Sequence, residues 1–378
     1  MVHRDNIIYW DNAATTRVDQ RVVDSMLPYF TDFFGNASSN HQFGKASKIA
    51  IEKAREQVAN LINSDTDEIV FTSGATESIN LALKGFIESN CHKGNHIITV
   101  KTEHKAVIAT CEYLEQRGID VTYLNVDRNG LISLEDLENA IKPSTILISV
   151  MYVNNEIGVI QPIQKIGQIA RNRSIAFFCD ATQAIGKVKV DVELDNIDML
   201  AFSGHKIYGP KGVGALYKRK SISIQPLIHG GSQENGLRPG TYNTPLIVGI
   251  GKASELLNEE LEERLKRVNS LAKILKDKLE QLTGVELLVD SALRVPHILN
   301  IFVEGLDASL FVSELSSLVL STGSACNSSI ITSSHVLKSL GLSEEKAFSC
   351  FRLSIDDSVK IDDLEIFCKQ ITMHDISK

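Results

Sequence analysis

The stretch Ile197-Asp-Met-Leu-Ala-Phe-Ser-Gly-His-Lys206 decides how the chain is expected to fold. Its apolar middle is typical of a strand buried in a parallel sheet. Ser203, His205 and Lys206 follow that strand directly, and ligands of open α/β sheets bind at the carboxyl ends of strands. A lysine there can form a Schiff base with an aldehyde cofactor. A surface lysine in a glycine-rich loop has the same local pattern, so the rest of the chain must decide between the two.

The glycines after this strand do not form a nucleotide-binding P-loop. Gly204 and Gly209 have the spacing of that motif, but Pro210 stands where the motif has its lysine. Proline also lacks the backbone N–H that such a loop offers to a phosphate. A different kind of cofactor site is therefore expected.

Composition bounds the class of protein. The chain has 378 residues, 43% of them hydrophobic and 23% charged, which predicts an ordinary globular protein with a large core. A formal net charge of −8 argues against direct nucleic-acid binding. The six cysteines include no CxxC pair and indicate reduced thiols, so a cytoplasmic location is expected. No targeting segment, membrane-length apolar run or standard zinc pattern is apparent, and no metal is expected.

Five successive predicted strands end in polar side chains. Because the carboxyl ends of such strands meet at one edge of a doubly wound sheet, these side chains are expected to lie together. They supply a phosphate site, a ring-covering imidazole, a carboxylate for a protonated ring nitrogen, an amide and a lysine. That set matches the needs of pyridoxal 5′-phosphate. The polar groups in chain order are Thr72 to Thr76, His104, Asn155, Asp180 with Gln183, and Ser203 with His205 and Lys206.

Two of these positions have simpler alternatives. Ser73-Gly-Ala-Thr76 opens a helix after a strand and offers free backbone N–H groups to a phosphate. The same residues also fit a plain helix cap at Ser73 with Glu77 in the first turn. His104 fits both a cover for a flat ring and an ordinary loop histidine.

The C-terminal third differs in character and predicts a smaller α+β domain. A long amphipathic helix is expected over residues 254–282, followed by a strand over residues 296–303. We predict a large domain over residues 16–252 and a small domain made of residues 1–15 and 253–378. The small domain contains Cys326, the only cysteine flanked by small polar residues, which favours an exposed nucleophile on a mobile loop. Arg352 is expected on a strand, facing either a substrate carboxylate or an internal carboxylate.

The motifs together resemble the cysteine desulfurases of the NifS/IscS-like group, which are fold-type I pyridoxal-phosphate enzymes. The resemblance runs from Tyr9 to about Arg352. It rests on six short motifs: Phe-Thr-Ser-Gly-Ala-Thr-Glu-Ser (71–78), Thr-Glu-His-Lys (102–105), Val-Asn-Asn-Glu (153–156), Asp-Ala-Thr-Gln (180–183), Ser-Gly-His-Lys (203–206) and Gly-Ser-Ala-Cys (323–326). It implies a mostly parallel seven-stranded sheet with a smaller α+β domain.

The resemblance also implies a role for each matching residue around the cofactor. Lys206 would bind the aldehyde carbon, His104 would stack on the ring, Asp180 would pair with the ring nitrogen and Gln183 with the phenolate oxygen. The phosphate would be held by Ala75, Thr76, Ser203, His205 and, from the second subunit of a homodimer, Thr241.

The substrate of such an enzyme would be L-cysteine, held through its carboxylate by Asn155 and Arg352. Cys326 would receive the sulfur as a persulfide, leaving L-alanine, and would pass the sulfur to an acceptor protein. Residues Ala37, 238–241 and 295–300 resemble desulfurases of DNA phosphorothioation systems, in which partners would contact the DNA. A housekeeping sulfur donor, a selenocysteine lyase that does not need Cys326, and a catalytically silent scaffold remain alternatives.

Overall fold

The structure is a computed structural model that describes residues 7–322 and 334–376, with side chains through residue 372. Its strands are β1 (Ile8–Tyr9), β2 (Ile69–Thr72), β3 (His96–Val100), β4 (Asp120–Leu124), β5 (Thr145–Ser149), β6 (Ala176–Asp180), β7 (Met199–Ser203), β8 (Gly214–Lys218), β9 (Val285–Leu287), β10 (Ile298–Val303), β11 (Leu318–Val319) and β12 (Cys350–Ser354). Its helices are α1 (Gln20–Met26), α2 (Pro28–Thr31), α3 (Gln42–Ile62), α4 (Ala75–Asn90), α5 (Lys105–Glu115), α6 (Leu134–Ala140), α7 (Ile163–Asn172), α8 (Thr244–Leu279), α9 (Ala308–Glu314), α10 (His335–Ser339), α11 (Glu344–Phe348) and α12 (Ile361–Ile376).

Seven strands form the central sheet in the order β2-β8-β7-β6-β5-β3-β4. Strand β8 runs antiparallel to both of its neighbours, and the other pairs are parallel. Strands β2, β3, β5, β6 and β7 therefore all point the same way, and the residues that follow them emerge at one edge. The predicted mostly parallel seven-stranded sheet is confirmed.

Neighbouring residues of the buried strands face opposite sides of this sheet. Ile98 and Phe177 pack in a cluster with α3 and α8, whereas Ile97 and Phe178 pack in a second cluster with α4. Both faces are thus covered by helices, which explains why the strands are apolar throughout rather than alternating. Each large side chain buried this way contributes roughly 1.5–3 kcal/mol.

A smaller antiparallel sheet, β12-β10-β9, lies in the C-terminal part. Strand β1 pairs in parallel with β11, and Trp10 packs edge-on against Phe367 at 5.3 Å between ring centroids. This packing supports the predicted assignment of the first residues to the small domain, and we propose those domain limits. Helix α8 joins the two cores, since Ile250 belongs to the sheet cluster and Leu275 to the smaller one.

Helix α8 begins ten residues before the predicted start at residue 254. The Asn243 side chain accepts a hydrogen bond from the N–H of Leu246, and Pro245 lies in the first turn. Both features are helix-start signals that apolar periodicity alone does not reveal. Within the part of the chain that the structure describes, no helix is both long and apolar enough to cross a membrane.

Candidate active site

A cavity of about 690 Å³ opens at the edge where the five parallel strands end. Its lining gathers residues that are far apart in sequence, as the strand order requires. Ten of the twelve predicted site residues line it: Ala75, Thr76, His104, Asn155, Asp180, Gln183, Ser203, His205, Lys206 and Arg352.

Lys206 lies in a short 3-10 turn directly after β7. Its Nζ donates hydrogen bonds of 2.6 Å to the carbonyl oxygens of Ala13 and Ala14. Burial lowers the pKa of Lys206 to about 8, with the nearby Arg352 guanidinium acting in the same direction. The amine is therefore more readily deprotonated than an ordinary lysine, which is what attack on an aldehyde requires.

The start of α4 is shaped as an anion site. Gly74 caps the helix with φ +154°, a conformation that favours glycine, and no side chain caps it among the described residues. A Cβ atom on Gly214 of the neighbouring strand would lie 2.6 Å from the Gly74 Cα, so the turn rests directly on that strand. The first-turn N–H groups are left for a ligand.

The simpler alternative, a cap at Ser73, is wrong. The N–H of Ser73 donates to the Glu77 carboxylate at 2.7 Å, and the helix starts one residue later than that cap requires. Glu77 is in turn paired with Arg238 at 2.8 Å. The arginine neutralises a carboxylate that would otherwise repel an anion at this helix end.

His104 caps α5 through its ring. The Nδ1 atom accepts a hydrogen bond of 3.1 Å from the N–H of Ala106, which leaves the ring proton on Nε2. Burial, with help from Lys206 and His335, lowers the pKa of His104, although Asp180 opposes them. The ring is therefore neutral at physiological pH, as suits an aromatic cover for a flat cofactor.

His205 is neutral for a similar reason. Burial lowers its pKa to about 4, helped by the neighbouring Lys206 and Lys211. Its Nδ1 lies 3.2 Å from the Thr15 hydroxyl. At neutral pH the ring can therefore donate a hydrogen bond to an anion but adds no charge to it.

Asp180 is the last residue of β6, and Gln183 lies in the turn that follows. Asp180 is buried and accepts a hydrogen bond of 2.9 Å from the N–H of Thr182. Gln183 donates from Nε2 to the Ala13 carbonyl oxygen at 2.8 Å. The buried Gln183 Oε1 and Thr182 Oγ1 have no hydrogen-bond partner within residues 7–322 and 334–376. Buried polar atoms without partners beside a cavity are expected where a polar ligand binds.

The two adjacent asparagines after β5 differ in role: one is held inside the protein and the other lines the cavity. Asn154 is fully buried, donates to the Thr102 carbonyl oxygen at 2.9 Å and accepts from the N–H groups of Glu156 and Ile157. Asn155 lines the cavity, and its side chain forms no hydrogen bond with other described residues. Asn155 is therefore the one available to a substrate.

Arg352 lies on β12, as expected, and its anionic partner within the chain is Asp11. The Nη2 atom lies 2.7 Å from Asp11 Oδ1, and Nη1 donates to the Asn155 carbonyl oxygen at 2.8 Å. The buried Nε has no partner in the described part of the chain. Both alternatives for Arg352 thus stay compatible, because an internal ion pair leaves one donor for a ligand.

The segment after β1 was missing from the residue-based prediction of the site. Asp11, Ala13 and Ala14 contact Arg352, Gln183 and Lys206. Three of these four contacts are made to backbone carbonyl oxygens, which carry no sequence signal. The one available signal was the acidic residue that follows a predicted strand.

Comparison with known proteins places this geometry in a family. The Aminotransferase class-V family model matches residues 8–367. Cysteine desulfurase IscS of Rickettsia africae (strain ESF-5) is 49% identical over 352 residues, which cover 92% of this chain and 86% of that protein. The IscS protein of Neisseria meningitidis serogroup A (strain Z2491) is 50% identical over 353 residues, 92% of this chain and 87% of that protein.

The chain belongs to the cysteine desulfurases of the class-V aminotransferase family. The resemblance inferred from the six motifs is therefore confirmed. Among solved structures, a NifS-like protein superposes with a TM-score of 0.91 at 38% identity, covering 97% of this chain and 98% of the other.

Two further solved structures are similar. The structure named SspA in complex with cysteine has a TM-score of 0.84 at 42% identity, covering 92% of this chain and 98% of that one. DndA from Streptomyces lividans has a TM-score of 0.79 at 41% identity, covering 90% of this chain and 97% of that one.

Among the described residues, one predicted site residue of this desulfurase, Thr241, does not line the cavity. Thr241 lines a neighbouring cavity of about 290 Å³, together with Ser73 and Gly212, which border both cavities. Cys326 lies outside the described residues. The roles predicted for all twelve residues remain predictions.

Proposed function

We propose that the protein is a pyridoxal-phosphate-dependent cysteine desulfurase that converts L-cysteine to L-alanine and a persulfide on Cys326. The observation that carries the proposal is one cavity that combines a low-pKa lysine, a buried carboxylate, a neutral imidazole and an open helix N-terminus. The similarity to IscS proteins supports the choice of substrate.

The cavity fits pyridoxal phosphate. We assign the phosphate to the start of α4 with Ser203 and His205, the ring nitrogen to Asp180 and the phenolate oxygen to Gln183. Gln183 Oε1 and Thr182 Oγ1 support this fit, since both are buried polar atoms beside the cavity and have no hydrogen-bond partner among the described residues. When bound, the cofactor supplies an electron sink for charge that develops at the substrate Cα.

The protein's own groups then divide the work. The Asp180 carboxylate keeps the ring nitrogen protonated, and the neutral His104 ring covers the cofactor face. Asn155 and the free Nε–H of Arg352 hold the substrate carboxylate. Lys206 would hold the aldehyde carbon of the cofactor, and its amine, with a pKa of about 8, would remove the Cα proton and return a proton to the carbon skeleton.

Cys326 completes the reaction by nucleophilic attack. Its thiolate forms a bond with the substrate sulfur while the substrate Cβ–S bond breaks, so the sulfur leaves as a persulfide and the carbon skeleton gains protons to become L-alanine. Burial makes other cysteines unsuitable, because it raises the pKa of both Cys111 and Cys350 to about 12.

The described residues on either side of the segment that contains Cys326 lie at or near the cavity. Ser321 lines the cavity, and its N–H donates to the Arg352 carbonyl oxygen at 3.1 Å. On the other side, the Ser334 hydroxyl donates to Glu156 at 2.5 Å. Both anchors support delivery of the thiol to the substrate.

A second copy of the chain is the partner that we propose for the surface around α2 and the start of α3. Large apolar side chains are exposed there. The rings of two of them, Phe34 and Phe43, contact each other in a tilted arrangement with centroids 5.6 Å apart. Thr241 lies outside the cavity of its own chain, which supports its contributing to the cavity of the partner. The exposed apolar residues are Leu27, Phe30, Phe33, Phe34, Phe43 and Ile49.

Two classes of protein are candidates for the sulfur acceptor. The motifs at residues 238–241 and 295–300, and similarity to DndA, support an acceptor protein in DNA phosphorothioation. The higher identity to IscS proteins supports a general sulfur donor for iron–sulfur clusters instead. Affinity purification of the protein from its native cells, followed by mass spectrometry of partners, decides between these acceptors.

The central experiment measures L-alanine formed from L-cysteine by the reconstituted enzyme. We expect a cofactor absorbance band near the visible edge that is lost in Lys206→Ala, and turnover that is lost in both Lys206→Ala and Cys326→Ala. Lys105→Ala, an exposed lysine beside His104, serves as the matched control. Sulfur release by Cys326→Ala at the wild-type rate would favour a selenocysteine lyase, and absence of both band and turnover in the wild type would contradict the proposal.

A further inference from the structure

Asp11 joins two functional groups of the proposed desulfurase. It follows β1 and forms a bridge with Ser354, the last residue of β12. Its Oδ1 accepts a hydrogen bond of 2.7 Å from Arg352 Nη2, in an ion pair whose arginine side chain is only 7% exposed. A largely shielded pair of this kind is well defined in geometry because solvent competes little for it.

The contacts of Arg352 fix the plane of its guanidinium group from two sides. Asp11 holds Nη2, and the Asn155 carbonyl oxygen holds Nη1 at 2.8 Å from a different element. The Nε–H is buried and has no partner among the described residues. With both ends held, that N–H is directed by the ion pair rather than by a ligand.

The same residue opens the turn that holds Lys206. The Asp11 carbonyl oxygen accepts from the N–H groups of Ala14 and Thr15 at 3.0 and 3.3 Å. The turn is pinned to β12, because the N–H of Ala13 donates to the Ser354 hydroxyl at 2.8 Å. The carbonyl oxygens of this turn are those that accept from Lys206 Nζ.

The charges that act on Lys206 come from several elements. Burial and Arg352 lower the pKa of Lys206, whereas Asp11 and Asp180 raise it. Lys206 in turn lowers the pKa values of His104, His205 and the buried Lys187. Asp11 is thus one of two carboxylates that offset the cationic groups around the lysine.

We propose that Asp11 is a positioning residue that orients Arg352 for the substrate carboxylate and places its negative charge in the turn that holds the Lys206 nitrogen. The proposal rests on the proposed function and deepens it. The hydrogen bond of Asp11 acts on Arg352 and its charge acts on Lys206, so the two effects can be measured separately.

Three variants of the holoenzyme separate the two roles. Asp11→Asn keeps an acceptor oxygen but removes the charge, and Asp11→Ala removes both. Tyr9→Phe is the control, because the Tyr9 hydroxyl donates to the carbonyl oxygens of Asp11 and Thr15 in the same turn without contributing charge. Each variant is titrated with L-alanine, monitored by cofactor absorbance, and its absorbance band is followed against pH.

We expect Asp11→Ala to bind L-alanine about 10-fold more weakly than Asp11→Asn, since the two variants have equal charge and differ in the acceptor. We expect the pH midpoint of the cofactor band to fall by about one unit in Asp11→Asn and to stay at the wild-type value in Tyr9→Phe. Equal affinities in the two Asp11 variants would overturn the positioning role, and an unchanged midpoint in Asp11→Asn would overturn the charge role.

Urea unfolding of each variant checks that the fold is intact. If Asp11→Ala does not fold, the Asp11→Asn midpoint and the L-cysteine KM and kcat of that variant decide, with unchanged values overturning the proposal. A wild-type enzyme that forms no L-alanine from L-cysteine would contradict the proposed function itself. A wild type that turns over, with variants that match it, would contradict only the role of Asp11.

Discussion

The amino group of Lys206 donates a hydrogen bond of 2.6 Å to the carbonyl oxygen of Ala13, a residue 193 positions earlier in the chain. The Gln183 side chain donates to the same oxygen at 2.8 Å. One backbone atom of the N-terminal segment therefore sets the positions of two side chains that come from β6 and β7. Movement of that segment would displace both, so the first residues of the chain belong to the candidate active site.

The lowered pKa of Lys206 predicts how the apoenzyme captures its cofactor. Because the folded-state pKa is about 8 rather than the usual 10.5, the reactive neutral amine is depleted only below about pH 8. We expect the rate of pyridoxal phosphate capture to rise with pH and to level off above a midpoint near 8. Stopped-flow absorbance at several pH values measures this rate. A rate that keeps rising to pH 10 would show that the lysine is not perturbed.

Alanine substitutions at the two adjacent asparagines should affect different properties, stability for Asn154 and substrate binding for Asn155. Asn154→Ala removes a buried donor and an acceptor of two backbone N–H groups, and should lower the free energy of unfolding by about 2 kcal/mol. Asn155→Ala should leave stability within about 0.5 kcal/mol and raise the KM for L-cysteine roughly 10-fold. Urea unfolding and steady-state kinetics measure both. Equal destabilisation by the two variants would contradict the division.

Loss of the buried ion pair between Arg55 and Glu234 should lower both the free energy of unfolding and the affinity for the cofactor. Glu234 accepts from both terminal nitrogens of Arg55 at 2.8 Å and from the N–H of Phe71, and its side chain is 1% exposed. Glu234→Ala should cost about 3–5 kcal/mol, because the arginine stays buried without its partner. Cofactor affinity should fall too, since Glu234 holds the loop that carries Arg238.

Chemical denaturation and cofactor titration measure these two effects. Glu263→Ala, a charge removal on the solvent side of α8, is the control and should change neither value by more than about 0.5 kcal/mol. Wild-type stability in Glu234→Ala would contradict the inferred role of the pair.

Gly214 predicts a local effect on the phosphate site. A Cβ atom there would lie 2.6 Å from the Cα of Gly74, and backbone on both sides leaves little room to relax. We expect Gly214→Ala to weaken pyridoxal phosphate binding at least about 10-fold by displacing the helix start, with an overpacking cost of about 1–3 kcal/mol. Fluorescence titration with the cofactor measures the affinity.

Gly118→Ala is the comparison variant for this prediction. Its Cβ would meet nothing within 4 Å, so only backbone strain from φ +85° is added, far from the cavity. That variant should lose some stability and keep its cofactor affinity. Equal cofactor affinity in Gly214→Ala and the wild type would show that the Gly74 turn does not need its present position.

Strand ends were predictable because the chemistry changes abruptly there. The buried run before Lys206, for instance, is followed at once by side chains that have no place in a core. Helix limits were less predictable. The sequence from Arg21 to Phe30 predicts a single helix, but the structure divides it at Leu27, since Pro28 cannot continue the hydrogen bonds of α1.

Contacts made by backbone atoms were outside the reach of sequence reasoning. The carbonyl oxygens of Ala13 and Ala14 are chemically identical to those of any other residue. The pairing of Asp11 with Arg352 was likewise not predictable, because it depends on a bridge between Asp11 and Ser354. These residues are separated by most of the chain.

By itself the sequence determined the class of sheet, and it predicted the cofactor type and the candidate site residues, because hydrophobic strands and polar strand ends are local patterns. Tertiary structure alone decided which groups are buried together, and burial sets the pKa values of Lys206, His104 and His205. It also decided which nitrogen of Arg352, Nε, has no hydrogen-bond partner in the described part of the chain. These properties depend on distances between residues far apart in the chain, which the order of amino acids does not express.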